Sequence, residues 1–298
     1  MTPRNDLVAP VVNRRNLAEQ SARFCFLFCA LLAFASLVII IAFLLIKGLP
    51  AIGKIGLWNF LTDTDWNPSN NQFGILSMIT ATLLSSLGAL LISVVIGVLT
   101  AVFLAELATA KIARWLRFAI ELLAGIPSVV FGFFGLVIIV PFIDRVAGGG
   151  GNSLLAAIII LSMMILPTIV SISEMSLRAV PREYKEGSLA LGASQIQTIF
   201  RVLLPAAGSG VAAAIMLGLG RAIGETMAVI LVSGNSPIMP GSLFDRVRTM
   251  TANIALEMGY ASGLQQEALF ATGVVLFVFI MLINGAVTVL AARSGVKR

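Results

Sequence analysis

The 298-residue sequence contains no histidine. That removes histidine-based catalytic triads, the common zinc centres and a histidine proton relay. Cysteine is nearly as scarce: Cys25 and Cys29 are the only two, four residues apart inside one apolar run. Helix geometry does not favour a disulfide at that spacing, so both read as small apolar residues. Charge is thin as well, at 11% of residues, against about 25% in a soluble domain. No Walker A phosphate loop occurs anywhere, so the chain does not bind ATP in that way. The sequence therefore offers no catalytic and no metal-ligating constellation.

Apolar residues are abundant. They make up 58% of the chain, with a mean hydropathy of +1.01. A bilayer span takes about 20 of them, so the length accommodates several spans and little soluble mass. The net charge of +6 does not point to nucleic acid, because the basic residues are scattered at span ends rather than gathered on one face. Anionic lipid headgroups and membrane topology account for them.

The apolar runs predict an all-α membrane protein with six transmembrane helices, near residues 24–46, 75–104, 118–143, 153–173, 206–233 and 268–291. Residues 1–23 form a polar N-terminal tail and 292–298 a short C-terminal one. The first run is too long for a signal-peptide core and lacks a cleavage site after it, so it is expected to be retained. Residues 47–74 form a hydrophilic connection in which Trp58, Phe60 and Trp66 are expected to anchor at the membrane interface. The third run holds a Gly-Ile-Pro-Ser break at 125–128 and should bend or unwind there. The connection 234–267 is expected to carry an amphipathic helix over 243–258.

Six spans place both termini on one side. The tails and the 106–117 and 177–205 connections hold fourteen of the twenty Lys and Arg residues; the other three connections hold five, and Arg221 lies within a span. The positive-inside bias then puts both termini and the 177–205 loop in the cytoplasm.

That loop is the only long interior stretch mixing charge with helix formers. From Val180 to Pro205 it reads VPREYKEGSLALGASQIQTIFRVLLP. Pro181 suits a helix start, Glu183 and Glu186 follow near that N-terminus, and Gly192 can end the helix before a second one over 194–204. By composition alone it is a solvated helix–turn–helix connector.

A second unusual feature is charge inside a span. Arg221 and Glu225 stand four residues apart, so on a continuous helix they share a face. A charge at that depth costs at least about 2.5–3.5 kcal/mol on insertion scales. Two readings stay open: a mutually neutralised pair holding helices together, or an arginine facing an anion's path with the glutamate orienting it. Gly218, Gly220 and Gly224 resemble a nucleotide loop only superficially, and Gly220 and Gly224 fit close helix packing better.

The spacing of Glu186, Gly192, Val202, Leu204 and Pro205 resembles the EAA loop of ABC importer permeases, with Gly187 and Ser188 in place of its two alanines. Three further stretches resemble the phosphate-specific, PstC-type permeases: GRAIGETMAV with SGN after it (220–229 and 233–235), FLTDTDWNP with QFG after it (60–68 and 72–74), and ELLAGIPSVVFG (121–132). The resemblance covers about residues 58–291. It implies a type I, MetI-like importer permease in a bacterial cytoplasmic membrane. It also implies a PstA-like partner permease, a cytoplasmic ATPase dimer that binds the ATP, and an external phosphate-binding protein. Glu186, Gly187, Ser188, Gly192 and Pro205 would then couple to the ATPase, and Arg221 and Glu225 would line the substrate pathway.

Overall fold

The computed structural model describes the backbone of residues 11–293 and the side chains of residues 19–286. Arg4, Lys297 and Arg298, and the side chains of Arg14, Arg15 and Arg293, lie outside the described residues. Of the sequence expected as a polar tail, 11–23 is already helical, because α1 runs as one helix from Val11 to Ile55. Among the described residues the fold is all-α apart from one two-residue hairpin, β1 (Trp66–Asn67) and β2 (Gln72–Phe73), which follows the short α2 (Leu57–Thr62). Among the described residues five helices are long and apolar enough to cross a membrane. A bent pair, Gln195–Ala206 with Gly208–Gly224, makes a sixth with a 69° turn inside it.

The centre is the pair α3 (Leu76–Val102) and α7 (Leu154–Arg178). Small residues let these two backbones approach closely. A Cβ on Gly88 would stand 2.7 Å from Ile158, and one on Gly97 would stand 2.8 Å from Ile169. Between these two contacts, Ser93 Oγ donates to the Ser162 carbonyl at 2.8 Å and Ser162 Oγ donates to the Ala89 carbonyl at 3.3 Å. α11 (Gly208–Gly224) runs antiparallel along α7, with Gly210 against Ser176 and Gly218 against Ile165 and Ile169. α1 packs on α14 (Gly263–Arg293), where Gly48 lies against the Phe270 backbone, and most of its remaining described surface is exposed.

Three expectations need correction. The third span does not begin at 118. Residues Ala110–Gly125 form a separate helix, α4, capped by Thr109, which accepts from Ile112 N. The chain is extended at Ile126 (ψ 127°) because the following Pro127 disfavours helical backbone before it. The span is α5 (Ser128–Phe134), a π-helical turn over Gly135–Ile139, and α6 (Val140–Ala147).

Phe60 and Trp66 are not interfacial anchors. Both are buried in a cluster with Phe73, Ile75 and Leu269, and only Trp58 stays exposed. The amphipathic helix of the 234–267 connection shrinks to α13 (Met250–Glu257). Upstream of it Asp245 Oδ2 accepts the Gly241 and Ser242 amides at 2.8 Å, and Val247 N donates to the Ser233 carbonyl, which holds the chain out of a helix.

α3 connects the two ends of the bundle. At its start Leu76 N donates to the Asp63 carbonyl beside the hairpin. Beyond its end the π-helical turn Phe103–Leu107 brings Glu106 to Lys185 of the 177–205 loop. Hairpin and loop therefore occupy opposite ends.

Candidate functional site

At the loop end, α8 (Arg182–Ala190) starts after Pro181 and carries Glu183 in its first turn. Gly192 follows with φ +87° and open space where a Cβ would go, so backbone conformation and not crowding calls for glycine there. α9 (Gln195–Thr198) begins with a capping box: Ser194 Oγ accepts from Gln197 N, and Gln197 Oε1 accepts from Ser194 N. A hydroxyl contact of 2.9 Å between Ser188 and Thr198 closes the two helices on each other. Pro205 sits in α10 (Leu204–Ala206), at the 69° turn into α11. Gly187 has open space around it, and Glu186 is exposed.

The five residues expected to couple thus fall on one helix–turn–helix. Tyr184, Leu189, Leu191 and Ile196 are exposed on it, Leu191 at 91%. Between the loop and the bundle lies a cavity of about 450 Å³ lined by Glu106, Arg178, Lys185 and Glu186 among others. Lys185 bridges to Glu106 at 2.5 Å. Beneath, Glu174 Oε1 accepts from Arg117 Nε and Arg178 Nε, both at 2.8 Å, and Arg178 Nη2 donates to the Leu104 carbonyl.

The deep charges differ from expectation. The fifth span is not one helix: α11 ends at Gly224, Glu225 is extended (ψ 133°), and α12 (Met227–Val232) starts afresh. Arg221 and Glu225 therefore do not share a helical face and form no ion pair. Glu225 Oε1 instead accepts the Ala228 amide at 3.2 Å, capping α12, while the Glu225 carbonyl accepts from Thr251 Oγ1 at 3.0 Å. Arg221 is exposed on this chain and makes no hydrogen bond or ion pair among the described residues. Its register, three residues beyond the Gly218 contact, places it level with the middle of the 25-residue α7.

At the hairpin end stands a network that sequence reading missed. Glu257 is buried and fully engaged: Oε2 accepts from Trp66 Nε1 at 2.9 Å and Gln265 Nε2 at 2.8 Å, and Oε1 accepts from Arg248 Nη1 at 2.7 Å. Arg248 also donates to the Asn235 carbonyl and to Asn253 Oδ1. Trp66 and Glu257 are 191 residues apart, beyond any local pattern. Glu174 was findable, as a carboxylate four residues before Arg178 at the end of an apolar run.

A helical membrane bundle with a discontinuous span and a helix–turn–helix loop at one end has the architecture of an importer permease. Residues 93–296 match the family described as "Binding-protein-dependent transport system inner membrane component", and the chain belongs to it. It is thus a multi-pass inner-membrane subunit of an ABC importer, and ATP hydrolysis and substrate capture fall to its ATPase and binding-protein partners.

It is similar to a Bacillus subtilis (strain 168) protein named "Probable ABC transporter permease protein YqgH", 41% identical over 91% of each chain. It is also similar to the "Phosphate transport system permease protein PstC" of Haemophilus influenzae, 36% identical over 84% of this chain and 85% of that one. Among solved structures, the MetNI methionine ABC transporter matches with a TM-score of 0.60 and 24% identity, over 75% of this chain and 96% of that one, a likeness of fold.

Proposed function

We propose that this chain forms half of the pore of an ATP-driven importer of inorganic phosphate. It would pair with a PstA-like second permease, a cytoplasmic ATPase dimer docked on the 177–205 loop, and an external phosphate-binding protein. No cofactor is held by this chain, since ATP is bound by the ATPase. The charge bias assigns the loop end to the cytoplasm and the hairpin end to the outside.

The observation that carries the reading is Arg221: a guanidinium without a partner among the described residues, at mid-depth on the last turn of a helix that stops there. Glu225 is occupied in capping α12, so the arginine's charge is left for something else. An exposed arginine facing lipid at that depth is strongly disfavoured. The stable placement is a wet path, where a planar guanidinium suits a phosphate's oxygens. Single-arginine contact also suits transport, because a site that held the dianion too tightly would not release it. The phosphate-named relatives support the same substrate.

The test is uptake of labelled phosphate into vesicles carrying the complete complex, with excess sulfate as competitor. Uptake that needs ATP and ignores sulfate is expected. Inhibition by sulfate would overturn the substrate and keep the architecture, and uptake without ATP would overturn both. Arg221→Gln is expected to abolish uptake with the complex still assembled, and unchanged uptake would remove Arg221 from the pathway.

A further inference from the structure

α13 is pinned at both ends. Its last residue, Glu257, is bound by Trp66 of the hairpin and by Arg248, whose Nε is fixed on the Asn235 carbonyl. Its second residue, Thr251, donates to the Glu225 carbonyl at the gap between α11 and α12. Its first amide, at Met250, donates to Thr82 Oγ1 of α3 at 3.1 Å, a fixed point on the central helix pair. Eight residues of helix, about 12 Å long, thus join the hairpin at the surface to the break one turn beyond Arg221.

The hairpin and the segment leading into it are exposed at Asp63, Asp65, Asn67 and Asn70. Beside it a cavity of about 400 Å³ opens between Trp66, Gln72 and the Pro237–Met239 segment. The Trp66–Glu257 and Thr251–Glu225 contacts thus link the hairpin to the break through α13.

We propose that Glu257 and Thr251 are positioning residues that carry binding-protein docking at the hairpin to the α11/α12 break, and so set Arg221. This rests on the pathway reading above. The mechanism needs a buried strut with a specific bond at each end, which is what the Trp66–Glu257 and Thr251–Glu225 contacts provide.

The test is a double-mutant cycle in the complete complex with its partner permease, ATPase and phosphate-loaded binding protein. Trp66→Phe removes the indole N–H and keeps the ring; Thr251→Val removes the hydroxyl at the same shape; Thr251→Ser retains it. Each of the first two is expected to lower binding-protein stimulation of ATP hydrolysis about five-fold or more. Basal hydrolysis and subunit copurification should be unchanged, and Thr251→Ser should behave as wild type. The double variant should be no worse than the worse single, whereas distant independent sites add. Full stimulation in either single, or multiplied losses in the double, would overturn the proposal. If Trp66→Phe does not assemble, Glu257→Asp, which keeps the charge and draws the carboxylate back from the indole N–H, takes its place in the cycle. An Arg221→Gln variant with intact uptake would fail the pathway reading while leaving the cycle's outcome as it stands, so the two fail separately.

Discussion

Two carboxylates at opposite ends of the bundle are equally buried, at 6% exposure each, and are held in different ways. Glu257 meets an indole, an amide and one guanidinium, and that arginine side chain is itself only 16% exposed. Glu174 meets two guanidinium groups whose side chains are 40% and 47% exposed. A carboxylate desolvated among dry donors has no exchange with water to fall back on. One held by half-exposed arginines can trade them for water at modest expense. The hairpin end is thus a locked joint and the loop end a yielding one, which suits the proposed docking of the loop on the ATPase.

The largest expected effect tests the lock. Glu257→Ala strands Arg248 in the interior, and removing one partner of a buried pair costs roughly 3–5 kcal/mol. Thermal unfolding of the purified complex should show a marked loss or no assembled complex at all. Glu174→Ala should cost less, about 1–2 kcal/mol, because Arg117 and Arg178 can turn outward. An equal loss at the two positions would break the comparison. Lys185→Ala, which removes the pair with Glu106, should shift stability by no more than about 1 kcal/mol, and less in high salt.

Much of this fold was legible in the sequence. Apolar run lengths located the crossing helices, and the loop's Pro181, Gly192 and Ser194 marked its helix ends by local chemistry alone. What escaped was non-local. Nothing around Trp66 distinguishes a buried indole from an interfacial one until Glu257 arrives from far down the chain. The four-residue spacing of Arg221 and Glu225 suggested a pair because periodicity assumes a continuous helix. No proline marks the break after Gly224. It is sustained by the local capping role of Glu225 and by Thr251, a contact that only the assembled bundle supplies. The Ile-Pro break before Ser128 was visible for the opposite reason, since proline writes its effect locally, although where the span started was misjudged.

The interruption at Glu225 also bears on biogenesis. α11 alone is 17 residues, about 26 Å, short of the roughly 30 Å hydrocarbon core. Its far end carries a free arginine and unclosed peptide groups. As a lone segment leaving the insertion machinery it is a poor resident of lipid. It becomes a good one only when α7 lines its small-residue face and the chain beyond residue 249 has returned to satisfy the Glu225 carbonyl. The chain through Thr251 must therefore be synthesised before the fifth crossing can settle, and truncation after α12 should leave a degradable intermediate rather than a smaller permease.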